Sequence, residues 1–260
     1  MIILKSKSEI EKMAVACRIV AEVLQELVRA VRPGLSTLEL DALAERSICA
    51  RGGVSAFKGY RGFPNTLCVS LNEQVVHGIP SKRRLRAGDI ISLDLGAKWE
   101  GYYGDAAVTV PVGHIPPETE CLLATAREAL YMGIKEVSPG KHLSDISHAI
   151  QRYAETRGYS VVRTFVGHGI GTALHEEPQV PNFGPPGRGP RLKAGMVLAI
   201  EPMVNVGDAD VEILDDGWTV ITKDKSWSAQ FEHTILITQD GHEILTTFSK
   251  DDWRPEDARL

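Results

Sequence analysis

The chain has 260 residues, of which 43% are hydrophobic and 24% charged, as is typical of a globular protein with one large core or two closely packed halves. Its formal net charge of −5 argues against nucleic acid as a main partner, because phosphate binding requires clustered lysine and arginine. No apolar run is long enough to span a membrane and the first residues lack the apolar stretch of a signal peptide, so we expect a cytoplasmic protein that does not enter membranes.

Four amphipathic helices are predicted, in two pairs, from apolar side chains at helical spacing. In each pair a Pro-Gly dipeptide ends the first helix, at Pro33-Gly34 and at Pro139-Gly140. Cys17 and Cys121 lie on these helical patterns and are predicted to be core thiols. The four cysteines show no CxxC spacing, so neither a zinc knuckle nor a redox pair is expected. The predicted helices cover residues 8–31, 36–51, 117–137 and 144–157.

Strands are predicted where apolar residues alternate or run together between turn signals. Because these turns follow one another closely, most strand pairs should be antiparallel. Four helices backing a curved antiparallel sheet give an α+β fold. The predicted strands cover residues 67–71, 89–96, 105–110, 196–201, 218–222 and 232–238.

The second half of the chain repeats the plan of the first. Residues 84–96 (RLRAGDIISLDLG) and 191–203 (RLKAGMVLAIEPM) align at an offset of 107, which pairs Asp94 with Glu201. The two helix pairs align at an offset of 106, so the repeat predicts a duplicated fold with pseudo-twofold symmetry. We therefore expect one domain over residues 1–248, with halves of about 1–113 and 114–248, followed by a polar tail over 249–260.

Four carboxylates and one imidazole stand out against this pattern. Asp94 and Glu201 lie inside apolar runs, where an unpaired carboxylate is costly to bury and where metal coordination removes that cost. Asp105 and Glu232 open strands, and His168 lies in the segment GHGIG. A single carboxylate at the start of a strand is commonly solvated, but the five together indicate an oxygen-rich site for two divalent ions. Two-metal sites of this kind serve hydrolysis.

Seven sequence blocks in a fixed order carry a family resemblance that covers about residues 5–248. On these blocks the chain resembles the type I methionine aminopeptidases in their short bacterial form, which implies a pita-bread fold. Only thirty-one positions separate Glu201 from Glu232, which leaves no room for the helical insertion of the type II enzymes. The blocks are GYRGFPNTLCVSLNEQVVHGIP (59–80), SLDLG, GDAA, FVGHGIG, LHEEP, IEPM and FEHT.

The resemblance implies a role for each of the five ligands. Asp94 chelates one metal, His168 and Glu201 bind the other, and Asp105 and Glu232 bridge the two. The resemblance also implies that Glu201 accepts a proton from a water or hydroxide shared by both ions. Cobalt, manganese, iron and zinc all suit such a donor set, so the sequence leaves the metal open.

Further positions follow from the same resemblance. His77 is expected on the nitrogen side of the scissile bond, and His175 is expected to donate a hydrogen bond to the developing oxyanion. A monovalent cation near Asn72 and Ser228 is also implied. The pocket for an unbranched thioether falls on residues that keep it apolar, although a larger Phe57 and a smaller Leu174 reshape it relative to the family. These pocket positions are Phe57, Tyr60, Phe63, Cys68, Leu174 and Trp218.

The function implied is removal of N-terminal methionine from peptides and from nascent chains at the ribosome, where the second residue is small. A monomer is expected. One alternative keeps the fold and the metals but changes the substrate, as in the proline-specific prolidases and aminopeptidases P. Another is an inactive pita-bread domain that binds peptides; because such proteins lose metal ligands, the presence of all five ligands and both histidines argues against it.

Overall fold

The computed structural model of the protein describes residues 1–247, so the predicted polar tail lies outside the described residues. The four predicted helices are found, each with ends within two residues of the expected positions. Within residues 1–247, no helix combines the length and the apolar character that crossing a membrane requires. The helices are α1 (Lys7–Ala30), α2 (Thr37–Ala50), α3 (Pro117–Lys135) and α4 (Leu143–Glu155).

Fifteen strands connect and flank these helices in the described part of the chain. They are β1 (Val54–Ser55), β2 (Leu67–Leu71), β3 (Gln74–Val76), β4 (Ile90–Trp99), β5 (Tyr102–Pro111), β6 (Ser160–Val161), β7 (Gly167–Gly169), β8 (Glu176–Val180), β9 (Val197–Ile200), β10 (Met203–Asn205), β11 (Val211–Ile213), β12 (Val220–Thr222), β13 (Ser228–Gln230), β14 (His233–Ile237) and β15 (His242–Ile244). Six of them correspond to the predicted strands. The other nine have two to five residues, too few for an alternating pattern to be recognised in sequence.

The strands pair antiparallel throughout and form four small sheets rather than the single sheet expected. One sheet joins β1, β2, β4 and β5, and its centre is the hairpin of β4 and β5, whose strands have ten residues each. A second has the order β15-β14-β9-β7-β8, and two three-stranded sheets complete the set. A bridge between Ala107 in β5 and Glu232 connects the first two sheets. This bridge brings together the segments that carry the predicted ligands.

The duplication is visible in matching contacts of the two halves. Arg84 Nη1 donates to the Gly34 carbonyl at 2.6 Å, and Arg191 Nη1 donates to the Gly140 carbonyl at the same distance. Both glycines have positive φ, 88° and 87°, and both end the Pro-Gly turn after a helix. The repeat therefore extends from sequence to the turn that orients each helix pair against its strands.

The hydrophobic core lies between the helices and the sheets. Helix α1 packs on β4 and β5, and α3 packs on α4. Where α1 crosses β5 the approach is close, since a Cβ on Gly104 would lie 2.6 Å from the backbone nitrogen of Cys17. Cys17 is a core thiol as predicted, but Cys121 is exposed, because it lies on the outer side of α3. The prediction for Cys121 was wrong.

Candidate active site

One cavity of about 590 Å³ gathers the thirteen residues predicted as metal ligands, catalytic residues or pocket wall. Asn72 and Ser228, predicted to lie near a monovalent cation, do not line it. They come from segments as far apart in the chain as Phe57 and Glu232, which meet because the two halves pack together. Some further lining residues were not predicted, among them Arg61, Phe165 and Gln179. Since every candidate ligand, both candidate catalytic histidines and the whole candidate pocket share this cavity, we describe it as the candidate active site.

Strand pairing places the carboxylates next to one another. Asp94 lies in the middle of β4, opposite Ala107 of β5 and Cys68 of β2. Asp105 was predicted to be the first residue of its strand, but it is the fourth residue of β5. Glu232 immediately precedes β14, and Glu201 immediately follows β9. Glu201 and Glu232 therefore lie just outside regular strands, and both side chains line the cavity.

Ligand atoms of Asp105, His168 and Glu232 lie within 4.8 Å of one another. His168 Nε2 is 4.0 Å from Asp105 Oδ2 and 3.7 Å from Glu201 Oε1. The other ring nitrogen, Nδ1, lies 2.8 Å from the Gly169 carbonyl, which can only accept a hydrogen bond. Nδ1 therefore carries the proton and Nε2 presents its lone pair to the carboxylates, as a metal-binding imidazole does.

The protonation of this cluster is governed by burial. Burial lowers the pKa of His168 to about 3, so its imidazole is neutral and able to bind a metal. Burial also raises the pKa of Asp105 well above its usual range, and the nearby Glu232 and Asp94 raise it further. The pKa of Glu201 is raised by burial and, in addition, by the nearby carboxylates of Asp94 and Asp105. Without bound cations, ionising all four carboxyl groups is energetically unfavourable, because they are buried and repel one another.

The cluster fits divalent metal ions. Three buried oxygens, Asp94 Oδ1, Asp105 Oδ1 and Glu232 Oε1, have no hydrogen-bond partner among the described residues. Buried carboxylate oxygens without a donor are costly, whereas a cation satisfies them and offsets their mutual repulsion. A set of carboxylates with one neutral imidazole suits manganese, iron, cobalt or zinc.

Hydrogen bonds that sequence reasoning missed hold two of the ligands in place. Thr234 Oγ1 donates to the Asp105 carbonyl at 2.7 Å and accepts from the Asp105 amide at 3.2 Å. Gln230 Nε2 donates to Glu201 Oε2 at 3.4 Å, and Asn182 Nδ2 donates to the Glu201 carbonyl at 3.1 Å. Threonine and glutamine on these strands give no signal in the sequence, because their role depends on which strands become neighbours.

His77 has an unusual backbone conformation, with φ of 58°. Non-glycine residues rarely adopt this region, and such strain occurs at functional sites when the surroundings enforce it. At the next residue, Gly78, a Cβ would lie 2.0 Å from the Val69 carbonyl oxygen, so the chain can pass beside β2 only with glycine there. The ring packs edge-on against Phe165 and Trp218, and burial lowers its pKa to about 4. His77 is thus neutral near pH 7.

His175 is held by an aromatic partner. Its Nδ1 lies 2.9 Å from the hydroxyl oxygen of Tyr60, and the two rings stack with centroids 5.3 Å apart. When the hydroxyl donates to Nδ1, the remaining ring proton is on Nε2 and is available to a substrate. The His175 ring is also 4.2 Å from that of His168, centroid to centroid. Partial burial lowers the pKa of His175, and the charge of Arg61 lowers it further.

The apolar wall of the cavity is built from the predicted pocket residues. Phe63 packs edge-on against Trp218 with ring centroids 5.1 Å apart. Phe57 occupies the space above Gly96, where a Cβ would lie only 2.6 Å from the Phe57 ring. Leu174 is buried against the same apolar cluster, which completes a pocket that suits a flexible, unbranched side chain.

Five other histidines are separate from the cavity. His233, although next to Glu232 in sequence, points to the opposite face of its strand, where Nδ1 lies 3.0 Å from Thr246 Oγ1 and Nε2 lies 3.2 Å from the Tyr131 hydroxyl. The remaining four do not line the cavity in the described structure, in keeping with the structural interpretation given to them. They are His114, His142, His148 and His242.

Comparison with known proteins agrees with this geometry. Residues 11–239 match the profile of metallopeptidase family M24. The chain belongs to this family. Methionine aminopeptidase 1 of Bacillus subtilis is 55% identical to this M24 metallopeptidase over 246 residues, 95% of this chain and 99% of that protein. The methionine aminopeptidase of Clostridium perfringens is 52% identical over the same length.

Solved structures of a methionine aminopeptidase and a prolidase share its fold. The methionine aminopeptidase of Thermotoga maritima superposes with a TM-score of 0.94 at 48% identity, covering 95% of this chain and 100% of that chain. A prolidase from Pyrococcus furiosus superposes with a TM-score of 0.79 at 25% identity, covering 95% of this chain and 66% of that chain. The predicted α+β pita-bread fold is therefore confirmed.

The stability of this M24 metallopeptidase should depend on pH when its metals are chelated. A carboxyl group whose pKa is raised by folding binds more protons in the folded state, so the free energy of unfolding falls as the pH rises towards the folded pKa. Histidines with lowered pKa act in the opposite sense, but only below their ordinary value of about 6.5. Above about pH 6.5 the carboxyl groups dominate, and we expect the Tm of the metal-free protein to fall as pH increases.

Differential scanning calorimetry in chelator at about pH 6.5, 7.5 and 8.5 measures this effect. The same scans with Mn(II) provide the comparison, because metal binding is favoured when the carboxylates are deprotonated and should oppose the fall in Tm. A Tm of the chelated protein that rises steadily over this range would contradict the assignment of raised pKa values to the buried carboxyl groups.

Proposed function

We propose that this chain is a methionyl aminopeptidase, a dinuclear metallo-exopeptidase that removes the N-terminal methionine from peptides and nascent proteins with a small second residue. The observation that carries the proposal is the clustering of the ligand atoms of Asp105, His168 and Glu232, within 4.8 Å of one another, in a cavity that also has an apolar and aromatic wall. The 55% identity to a methionine aminopeptidase over nearly the whole length of both chains supports the same conclusion.

Two divalent ions are proposed, with the five ligands divided between them. Asp94 would hold one ion, His168 and Glu201 would hold the other, and Asp105 and Glu232 would contact both. When bound, the ions act as Lewis acids and lower the pKa of a water molecule so that it can attack near neutral pH. Manganese, iron, cobalt and zinc are all compatible with the donors, and we leave the choice to the assay below.

The protein side chains supply the proton transfers and hydrogen bonds. Glu201 is the proposed acceptor of a proton from the attacking water. His175, with Nδ1 engaged by Tyr60, is the proposed Nε2–H donor to the oxygen on which negative charge develops. His77 is proposed to contact the nitrogen of the scissile bond. Lowered pKa values keep both imidazoles neutral, so they donate hydrogen bonds without repelling the metal cluster.

Selection of methionine is assigned to the apolar wall. Methionine is unbranched and polarizable, and a pocket of aromatic, leucine and thiol side chains gives it close contacts. Burial raises the pKa of Cys68, so it presents a neutral thiol rather than a thiolate. The preference for a small second residue is assigned to crowding on the leaving-group side of the site.

The change Leu174→Ala should relax this selection. Removing three carbon atoms from a pocket wall costs contacts with the methionine side chain, so we expect kcat/KM for Met-Ala-Ser to fall about tenfold. Activity on Phe-Ala-Ser should rise relative to Met-Ala-Ser, because the enlarged pocket admits a bulkier side chain. Release of the free amino acid from both peptides measures the ratio.

Leu245→Ala is the matched control for this change. Leu245 belongs to the same buried apolar cluster as Leu174 but does not line the cavity. It should lower stability by a similar mechanism while the ratio of the two activities stays at its wild-type value. Equal ratios in all three proteins would remove Leu174 from the substrate pocket.

The proposed function is tested by amino-acid release from Met-Ala-Ser and Ala-Pro-Ala. The protein is stripped of metal and assayed anaerobically, then assayed again after addition of Fe(II), Mn(II), Co(II) or Zn(II). Metal-dependent release of methionine from the first peptide alone is the expected result. Cleavage only before proline would replace the proposal with a proline peptidase, and metal binding with no cleavage of either peptide would also overturn it.

Cellular setting and organisation complete the proposal. We place the enzyme in the cytoplasm as a monomer that meets its substrates as nascent chains at the ribosome, because newly made chains carry the N-terminal methionine. We also propose that residues 1–248 fold as one domain, supported by contacts between the halves such as the Ala107–Glu232 bridge. Sedimentation of the purified protein, alone and with translating ribosomes, tests both the monomer and the ribosome contact.

A further inference from the structure

A buried ion pair ties the N-terminal segment to the edge of the active site. Lys5 Nζ lies 2.5 Å from Glu176 Oε2, and the two side chains are only 4% and 9% exposed. The other lysine and arginine ion pairs within residues 1–247 are all more exposed. Exposed ion pairs contribute little to stability. In a buried pair each charge depends on its partner, because removing one partner leaves the other charge buried and uncompensated.

The second oxygen of Glu176 organises the loop that precedes it. Glu176 Oε1 accepts hydrogen bonds from the backbone nitrogens of Thr172 at 2.8 Å and Ala173 at 3.2 Å. Residues 171–176 run from the loop after β7 into the first residue of β8, and we call them loop 171–176. This loop therefore closes on the carboxylate at its own end. Leu174 and His175, which line the cavity, are carried by this loop.

Lys5 is itself fixed on several sides. Its backbone nitrogen donates to the Gly195 carbonyl at 2.7 Å, and Nζ also donates to the Ile3 carbonyl at 3.3 Å. Its stem passes so close to the loop that a Cβ on Gly171 would lie 2.4 Å from Lys5 Cε. The ammonium group is therefore presented to Glu176 by a constrained side chain rather than by a mobile one.

The position of His175 needs such support. The residue is exposed, and its described polar contact is the hydrogen bond to the Tyr60 hydroxyl. Its backbone is continuous with Glu176, so a shift of that carboxylate moves the imidazole. Displacement of a reacting group by about 1 Å can lower a rate about a hundredfold, so small movements of this loop matter.

We propose that Lys5 is a positioning residue for His175. Through Glu176 it holds loop 171–176 so that the His175 ring stays against Tyr60 and beside His168. The inference rests on the proposed function, in which His175 contacts the reacting carbonyl, and it adds to that function a residue 170 positions away in sequence.

The change Lys5→Met tests this role, because methionine keeps the length of the stem and removes the charge. We expect kcat for Met-Ala-Ser to fall about tenfold, with KM within about twofold of wild type and metal content unchanged. In a His175→Ala background, the same Lys5→Met change should lower kcat by less than about twofold, because the group it positions is gone. Glu176→Gln should reproduce the pattern and serves as the second variant if Lys5→Met does not fold.

The control is Lys141→Met, which removes an exposed lysine that also pairs with a glutamate, Glu136, at 2.5 Å. It should leave kcat unchanged. Wild-type kcat in folded Lys5→Met overturns the inference, and so does an equal fold-loss in the His175→Ala background, which would indicate a general structural defect.

A second readout separates this inference from the proposed function. The ring resonances of His175 in NMR spectra should shift in Lys5→Met and stay unchanged in Lys141→Met. If wild-type protein releases no methionine, the proposed function fails, while the NMR shift still decides whether Lys5 controls the position of His175. Unchanged His175 resonances in Lys5→Met would reject the inference.

Discussion

Asparagine in place of Asp105 is expected to lower kcat/KM for Met-Ala-Ser by about a thousandfold or more. The substitution keeps the size of the side chain but removes one of the negative charges that would offset the proposed divalent ions. Asp105 Oδ1 has no hydrogen-bond partner among the described residues, and Oδ2 lies 4.0 Å from His168 Nε2. The negative charge is therefore removed from within the cluster of candidate ligands. Steady-state kinetics and metal analysis of the purified variant measure the effect.

The same variant should be more stable than wild type when both are metal-free. Removing one buried carboxyl group relieves desolvation and repulsion from Glu232, so Tm in chelator should rise and its dependence on pH should weaken. Asp240→Asn, an exposed aspartate between β14 and β15, is the control and should change neither property. If Asp105→Asn retained its metal and near-normal turnover, the assignment of Asp105 as a metal ligand would be wrong.

Alanine in place of His175 is expected to lower kcat about a hundredfold, the usual loss when one donor to a developing oxyanion is removed. Metal content should stay at the wild-type level, since the five proposed ligands are unchanged, and this separates His175 from Asp105. Kinetics of Met-Ala-Ser hydrolysis at saturating metal, with metal analysis in parallel, measure both quantities.

His114→Ala is the control for that experiment, because His114 is exposed and lies outside the cavity. It should leave kcat and metal content unchanged. A loss of metal in His175→Ala that accounts for the whole loss of activity would show that the residue acts on the cluster and not on the substrate.

The helices and the long strands could be predicted from sequence because their signals are local. An apolar stripe and a Pro-Gly stop define α1 and α3 without reference to the rest of the chain. The short strands β7 and β8 could not be found this way, since Gly167–Gly169 and Glu176–Val180 have no alternating apolar pattern. Their pairing is set by neighbours that are distant in sequence.

The sequence predicted which residues form the candidate site, but not the hydrogen bonds that orient them. The repeat brought out Asp94 and Glu201, and their sequence contexts brought out Asp105, Glu232 and His168. Family resemblance supplied the two catalytic histidines and the pocket residues, and all of these residues line one cavity. What sequence could not give were the contacts that orient them, such as the hydrogen bond from Gln230 to Glu201. Such contacts join residues on different strands, and neither partner has an unusual sequence context.

The Ala107–Glu232 bridge has a consequence for how the enzyme comes into being. During synthesis Asp94 and Asp105 are added to the chain well over a hundred residues before Glu232 and Thr234. The cluster of Asp105, His168 and Glu232 therefore cannot assemble on a growing chain before β14 emerges. Premature termination ahead of that strand would yield an inert fragment rather than an unregulated peptidase.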